Sequence, residues 1–215
     1  MICVENLGMH QGAFALSDIS FTVPEGQYAV MSGKSGSGKT TILEAICGLR
    51  KVQQGRIHLG EVDVTDLRPA ERMIGYAPQD GALFPNYRVG EQLAFAMIVR
   101  QHDPQSISAR VEEVADLLGI DHLLDRYPDN LSGGEKQRVS LGRILALKPR
   151  ALCLDEPLSA LDSDTHEEIC NLLRTTIKQQ RITTLHITHN KAEADMLADI
   201  AFHLKDGCIE RIESG

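Results

Sequence analysis

Apolar and polar residues alternate near the start of the chain, in a pattern typical of β-strands. Ile19, Phe21 and Val23 alternate with polar neighbours, and a shorter apolar segment at 2–5 precedes them. A Pro-Glu-Gly turn follows, and residues 55–64 continue the succession of short strands and turns. This part of the chain therefore predicts a small antiparallel sheet.

Further along, the apolar spacing changes to that of helices and then to that of a parallel sheet. Over 89–124 the spacing is helical, and Gly119 is placed to stop one of those helices. Two apolar strands, 151–154 and 183–188, are separated by a helix with one apolar face, which is the order of a parallel sheet. The tail predicts a hairpin that turns at Asp206-Gly207.

These patterns predict an α/β fold in a single domain over 1–215. The core comprises 1–79 and 150–215, and it carries the parallel sheet after an N-terminal antiparallel β subdomain. An α-helical subdomain is inserted at about 80–149. Because the chain ends soon after the hairpin, we expect no C-terminal regulatory domain.

Composition narrows the class of protein. Hydrophobic residues make up 42% of the 215, which is enough to bury a core of ordinary size. The net charge of -8 does not provide the basic face that binds nucleic acid, so no nucleic-acid partner is expected. The five cysteines stand far apart without a Cys-x-x-Cys pair, which favours core thiols in a reducing compartment. No apolar run approaches the roughly 18 residues that cross a bilayer, so a membrane role requires a partner.

A glycine-rich octet directly after the apolar run 28–31 has the composition of a phosphate-binding loop. Glycines let successive backbone N–H groups converge on phosphate oxygens, and the following helix adds the positive end of its dipole. The lysine then reaches the β- and γ-phosphates, and the threonine hydroxyl can bind magnesium. The alternative is a flexible surface loop. The candidate nucleotide-binding residues are Gly33, Lys34, Ser35, Gly36, Ser37, Gly38, Lys39, Thr40 and Thr41.

A second motif places two acidic residues at the end of an apolar strand. Asp155 and Glu156 follow 151–154, at the edge of the sheet where the phosphate loops of open α/β sheets also lie. Asp155 can hold magnesium, and Glu156 can orient or deprotonate an attacking water. The alternative is an acidic turn that caps the next helix. Beside a phosphate loop, the pair predicts hydrolysis of a nucleotide.

A third motif, Leu-Ser-Gly-Gly-Glu at 131–135, is called the signature segment below. Ser132 and Glu135 have the spacing of a capping box at the start of a helix that extends to about Leu147. A capped helix alone does not explain the glycine pair between them, because glycine costs helix stability. A helix start without bulky side chains suits a phosphate group. The segment therefore predicts a second anion-binding helix start.

Six segments occur in one order over nearly the whole chain: the phosphate loop, Gln79, the signature segment, Leu-Asp-Glu-Pro at 154–157, 159–162 and His189. This order resembles that of ATP-binding cassette proteins, which have a phosphate-loop NTPase core. The resemblance implies a head-to-tail homodimer that encloses two ATP molecules. The phosphate loop of one subunit would hold each ATP, and the other subunit would cover it. The covering residues are then Ser132, Gly133, Gly134, Glu135 and Asp162.

The resemblance also implies roles for single residues. Gln79 resembles the loop glutamine that contacts magnesium and water, and His189 resembles the switch histidine that bonds the γ-phosphate while Glu156 acts as base. The implied catalytic residues are Glu156, His189 and Gln79, and the implied ligands of Mg²⁺ are Thr40, Gln79 and Asp155.

Before the phosphate loop, the sequence departs from the family pattern. Family members commonly stack adenine on an aromatic ring that precedes the phosphate loop. The nearest candidates here are His10 and Phe14, and an imidazole offers less stacking area than a tyrosine. Whether either of them contacts adenine stays open.

For the whole protein, the resemblance implies an ATPase held peripherally at the cytoplasmic face of a membrane by permease subunits. Residues 154–162 are similar to the form usual in importers of small solutes such as oxyanions, with which a solute-binding protein would act. Residues 84–87 are then expected in the groove that receives a permease helix, or alternatively packed inside the helical lobe. Other functions left open are an exporting, lipoprotein-releasing or cell-division complex, and a soluble ATPase outside transport.

Overall fold

The computed structural model describes residues 1–11, 14–79, 81–159 and 161–212. The strands are β1 (Ile2–Gln11), β2 (Phe14–Val23), β3 (Tyr28–Gly33), β4 (Gln54–Leu59), β5 (Val62–Asp63), β6 (Ile74–Ala77), β7 (Ala151–Asp155), β8 (Thr183–Ile187), β9 (Ile200–Lys205) and β10 (Cys208–Ile212). The helices are α1 (Lys39–Cys47), α2 (Val89–Val99), α3 (Pro104–Leu118), α4 (Gly133–Leu145), α5 (Ser163–Gln180) and α6 (Lys191–Leu197). Short 3₁₀ helices lie at Pro69–Glu71, Asp121–Leu123 and Pro128–Asn130.

The strands form two sheets. A four-stranded antiparallel sheet has the order β2-β1-β4-β5. A six-stranded sheet has the order β10-β9-β3-β8-β7-β6, in which β3 is parallel to β8 and β9, and β7 is parallel to β8. β10 pairs antiparallel with β9 in the predicted terminal hairpin. The predicted α/β class with a parallel sheet is confirmed.

Parallel pairing explains why distant motifs meet at one place. β3, β7 and β8 run in the same direction, so the residues that follow them emerge at the same edge of the sheet. β7 and β8 are buried along their whole lengths, which accounts for the nearly continuous apolar sequence of β7. The phosphate loop, the acidic pair and His189 all follow these three strands.

The antiparallel sheet has the alternation that the sequence predicts. Ile19, Phe21 and Val23 are 1%, 7% and 0% exposed, whereas Ser20 and Thr22 between them are exposed. The buried side chains join one hydrophobic cluster with residues of β3 and α1. Burial of each such side chain contributes about 1.5–3 kcal/mol, so this sheet stabilises the base of the phosphate loop.

The chain forms two compact units. The first comprises Met1–Tyr76, Arg150–Glu156 and the residues from Ile177 onward, and the second comprises Ala77–Pro149 and Pro157–Thr176. The second unit contains α2, α3 and α4, which pack on one another. The sequence placed 157–176 with the core, whereas the structure groups these residues with the helices, because most of α5 belongs to the second unit.

The described residues also bear on membrane-spanning helices and on the burial of the cysteines. Among them, no helix is both long enough and apolar enough to cross a bilayer. Three of the five cysteines, Cys47, Cys153 and Cys170, are buried, but Cys3 is half-buried and Cys208 is exposed. The expectation that all five are core residues is therefore wrong for the last two, of which Cys208 lies in the edge strand β10.

Candidate functional site

The glycine-rich octet forms a curled loop between β3 and α1. Gly33, Gly36 and Gly38 have φ values of 149°, 75° and 105°, which turn backbone N–H groups toward the concave side. A Cβ on Gly33 would lie 2.4 Å from the carbonyl oxygen of Leu204, so only glycine fits there. The Oγ atom of Ser37 is buried without a hydrogen-bond partner among the described residues. Such a group is paired by a bound ligand in a completed site.

Lys39 is the buried cation of this loop. Only 5% of the residue is exposed, and its Nζ atom donates to the carbonyl oxygens of Gly33 and Lys34, both at 2.9 Å. Burial lowers the pKa of Lys39, and the charges of Glu156 and Asp155 act in the opposite direction. The ammonium group thus lies inside the curl, where it faces two carboxylates from the end of β7.

Asp155 ends β7 at this edge and is 4% exposed. Burial raises the pKa of Asp155, a hydrogen bond from Thr40 lowers it, and the charges of Glu156 and Glu44 raise it further. A hydroxyl and a carboxylate are the hard oxygen ligands that Mg²⁺ takes. A buried carboxylate with a raised pKa is stabilised by such a cation. Thr40 and Asp155 therefore fit a magnesium ion.

Glu156 and His189 face each other beside the loop. The Nε2 atom of His189 lies 2.8 Å from Oε1 of Glu156, and both side chains are partly exposed. Glu156 has a φ of 47°, and its N–H donates to the carbonyl oxygen of Ile187 at 2.9 Å. A non-glycine residue in this region stores strain of about 1–3 kcal/mol, which is found most often at functional sites. The backbone bond to β8 holds this conformation.

In the second unit, the signature segment starts α4 with the predicted capping box. The Ser132 hydroxyl accepts the N–H of Glu135 at 3.2 Å, and the Glu135 carboxylate accepts the N–H of Ser132 at 2.7 Å. This bond lowers the pKa of Glu135. α4 ends at Leu145, close to the predicted end at Leu147. Ser132 and Gly133 are exposed, so the helix start is open to solvent.

The two glycines of the signature segment have different surroundings. A Cβ on Gly134 would lie 2.6 Å from Cγ2 of Thr165, whereas one on Gly133 would lie 3.6 Å from Leu161. Packing inside the unit therefore requires Gly134, which the sequence argument attributed to a ligand. Asp162 accepts the N–H of Thr165 at 3.1 Å, which lowers its pKa, so it caps α5 whatever else it contacts.

The family of the protein follows from comparison with models of known protein families. Residues 16–159 match the family model described as ABC transporter. The chain belongs to the ABC transporter family.

Curated members of the ABC transporter family include close relatives of this chain. The molybdate/tungstate import ATP-binding protein WtpC of Thermococcus kodakarensis is 42% identical over 199 residues, which are 93% of this chain and 60% of that protein. The sulfate/thiosulfate import ATP-binding protein CysA of Acinetobacter baylyi is 41% identical over 218 residues, 99% of this chain and 62% of that protein. The chain thus spans about three fifths of the length of these relatives.

Solved structures of the ABC transporter family have the same fold. A dimeric, post-hydrolysis state of the ATP-binding cassette MJ0796 bound to ADP and Pi has a TM-score of 0.85 and 26% identity, and the match covers 100% of this chain and 99% of that one. A second dimeric structure of MJ0796, an ABC transporter cassette, has the same TM-score and 27% identity.

Other residues expected from the ABC resemblance have the following places. Gln79 is exposed in the second unit and lines a cavity of about 330 Å³ together with Gly133 and Lys136. His10 is exposed on β1, and its backbone N–H donates to the Gln53 side chain at 2.7 Å. The side chain of Phe14 lies outside the described part of the structure.

A cavity that the sequence did not indicate adjoins the phosphate loop in the first unit. Its volume is about 430 Å³, and it is lined by Ala15, Leu16, residues 34–37 and the turn at 203–207. Its volume lies in the range of small-molecule pockets, which is about 300–1,000 Å³. The hairpin pattern predicted the turn, but only the pairing of β9 with β3 brings it to the loop.

Proposed function

We propose that this chain is the ATP-hydrolysing subunit of an ABC importer for a small oxyanion. The observation that carries the proposal is the convergence of Lys39, Asp155, Glu156 and His189 on a curled phosphate loop at one edge of a parallel sheet. The oxyanion class is supported by the names of the relatives, which import molybdate, tungstate, sulfate or thiosulfate.

The phosphates of ATP would lie in the loop at 33–40, where Lys39 and the first N–H groups of α1 stabilise their charge. The nucleoside would occupy the neighbouring 430 Å³ cavity. His10 is a candidate for the adenine contact because its cross-strand partner Ala15 lines that cavity. Thr40 and Asp155 would hold Mg²⁺, which neutralises phosphate charge when bound.

Hydrolysis would then depend on Glu156 and His189. Glu156 would accept the proton of the attacking water, while the Nε2–H group of His189 would form a hydrogen bond to an oxygen of the γ-phosphate without giving up its proton. Lys39 stabilises the charge that spreads over the transferred phosphoryl group. The Nε2 atom of His189 and Oε1 of Glu156 are 2.8 Å apart, so both side chains are close enough to act on the same water and phosphate.

Two copies of the chain would enclose two ATP molecules head to tail. In this assembly Ser132, Gly133, Gly134, Glu135 and Asp162 of one subunit cover the nucleotide of the other. The exposed start of α4 supports this arrangement, since the positive end of its dipole attracts a γ-phosphate. The dimeric structures of MJ0796 support it independently.

Permease subunits would bind an aromatic cluster in the second unit, formed by Phe84, Tyr87 and Phe95. Their ring centroids are 4.9–5.8 Å apart, and Tyr87 is 40% exposed. Residues 84–87 were expected either to bind a permease helix or to pack inside the helical lobe. The cluster is compatible with both, because its rings pack on one another and Tyr87 is still exposed at the surface. It would hold the chain peripherally at the cytoplasmic face of the membrane, where a solute-binding protein supplies the cargo.

The catalytic part of the proposal is tested with Glu156→Gln. The amide keeps the shape of the side chain but accepts no proton, so ATP turnover should fall by about 100-fold or more while ATP binding persists. Size-exclusion chromatography with ATP should show an accumulated dimer. Glu112→Gln, at an exposed position of α3, is the control and should turn over ATP like the parent. Equal turnover by Glu156→Gln would refute this role.

The partner is tested by purifying the tagged chain from membranes. We expect a permease to copurify with the parent and to be lost from Tyr87→Asp, because a charge in the aromatic cluster is desolvated on docking. Tyr127→Asp is the matched control, since Tyr127 is 41% exposed in the same unit and lies outside the cluster. Recovery of an exporter or a cell-division complex would replace the importer hypothesis by one of the alternatives.

A further inference from the structure

Four buried polar side chains lie behind His189 in the first unit. Tyr28 on β3, His186 on β8, Thr188 after β8 and Glu193 on α6 are 3%, 0%, 4% and 4% exposed. A buried carboxylate and a buried imidazole are costly unless they are paired. Their presence in the middle of a parallel sheet therefore calls for an explanation beyond packing.

The four side chains form a continuous chain of contacts. The hydroxyl of Tyr28 lies 2.8 Å from Nδ1 of His186, and Nε2 of His186 lies 3.0 Å from Oε1 of Glu193 in an ion-pair contact that is not aligned as a hydrogen bond. The Thr188 hydroxyl donates to Oε2 of Glu193 at 2.8 Å. When the ring of His186 carries its hydrogen on Nε2, Nδ1 accepts a hydrogen bond from the Tyr28 hydroxyl.

This chain of contacts ends on the two neighbours of His189. Thr188 precedes His189, and its Oγ atom also accepts the N–H of Asn190 at 3.0 Å. Asn190 follows His189 and caps α6, since its Oδ1 accepts the N–H groups of Ala192 and Glu193. The backbone on both sides of His189 is thus tied to one buried carboxylate.

We propose that Glu193, held by Tyr28 and His186, is a positioning residue that orients His189 toward Glu156 through Thr188. The inference rests on the proposed ATP hydrolysis for its catalytic consequence. His189 itself is half exposed, and an untied loop would let its ring move away from the 2.8 Å contact with Glu156. A misplacement of about 1 Å at such a group costs up to about 100-fold in rate.

The first test compares two buried threonines of the same strand region. Thr188→Val removes the hydroxyl from the network, whereas Thr184→Val removes a hydroxyl that donates to the carbonyl oxygen of Ile182 at 3.3 Å. We expect Thr188→Val to lower kcat by about 10-fold or more with KM for ATP within about twofold. Thr184→Val and the conservative variant Thr188→Ser should keep the kcat of the parent.

The second test does not require hydrolysis. The chain is labelled with ¹⁵N-histidine, and the ring signals of His189 are assigned by their loss in His189→Gln. Thr188→Val should shift these signals in the nucleotide-free chain, and Thr184→Val should leave them in place.

In an active parent, equal kcat for Thr188→Val and Thr184→Val would overturn the inference and leave the proposed function intact. A parent without ATP turnover would instead refute the proposed function. The ring signals alone would then decide whether Glu193 and Thr188 position His189, with unchanged signals overturning the proposal.

Discussion

At the scale of single residues, Lys39 and Asp155 lie at the edge of the sheet in surroundings that disfavour their charged forms. Burial lowers the pKa of Lys39 and raises that of Asp155, and each acts on the other in the opposite sense. These groups are therefore costly to fold and are stabilised when a ligand adds the complementary charge. Such a balance is common at functional sites, where stability is exchanged for activity.

Asp155→Asn should stabilise the nucleotide-free chain at neutral pH. A carboxylate whose folded pKa is raised contributes stability only while it is protonated, and this contribution is lost as pH rises through the folded pKa. The asparagine amide does not ionise and avoids this loss. We therefore expect the free energy of unfolding of Asp155→Asn to be higher by about 1 kcal/mol at pH 7.5, which corresponds to about 2–4 °C in Tm. The gain should shrink as pH falls toward about 3.9, the unfolded pKa of aspartate.

Thermal melts of the two proteins over this pH range measure the difference. Asp116→Asn on the exposed face of α3 is the control and should melt like the parent at every pH. The opposite order, with Asp155→Asn less stable at pH 7.5, would contradict the argument. Addition of Mg²⁺ and ATP should raise the Tm of the parent but not that of Asp155→Asn.

At the scale of elements, α1 and α4 have the same arrangement of groups at their two ends. α1 and α4 both start at a predicted phosphate contact, and each has a buried arginine at its carboxyl end. Arg72 donates to the carbonyl oxygens of Ala45 and Ile46 at 2.7 and 2.9 Å, and Arg110 donates to those of Leu145 and Ala146 at 2.7 and 3.1 Å. A cation there satisfies the last carbonyls and complements the helix dipole.

Arg72→Met should destabilise the first unit strongly. Arg72 is 4% exposed and also donates to the carbonyl oxygens of Leu67 and Thr65, so methionine leaves buried acceptors without a partner. We expect a loss of about 3 kcal/mol or more, which corresponds to about 6–12 °C in Tm. The matched control is Arg68→Met, because Arg68 is exposed and pairs with Glu71 at the surface. Similar melting of both variants would contradict the role of Arg72.

At the scale of the whole molecule, the proposal requires that two chains complete each other's sites. Lys39→Ala removes the phosphate contact of a subunit, and Ser132→Arg blocks the covering segment. Each variant alone should be inactive, because every dimer then has two defective sites. Half of the dimers in an equal mixture contain both variants and have one intact site, so about a quarter of the parental turnover should return.

Titration of one variant into the other measures this recovery. The maximum should fall at equal amounts, and a double variant carrying both changes should restore nothing. Full activity of either variant alone, or a mixture that stays inactive, would contradict a composite site.

Some residues of the site were predicted from the sequence, and others were found only in the structure. The glycine octet, Asp155, Glu156 and the capping box of Ser132 have local patterns, and each was found from spacing alone. His186 was hidden in an apolar strand, and Glu193 lies in a short helix whose sequence gives no sign of burial. Gly134 was assigned to a ligand, although Thr165, thirty-one positions away, is the group that requires it. Long-range contacts of this kind leave no periodic trace.

The sequence by itself determined the α/β class, the phosphate loop, the acidic pair and the family, because each depends on residues that are close along the chain. Only the tertiary structure decided which groups meet. The parallel pairing of β3, β7 and β8 brings Lys39, Glu156 and His189 to one edge, and the packing of α6 against that sheet buries Glu193 beside His186. Local periodicity specifies the elements, whereas burial and pairing between distant segments specify the chemistry of the site.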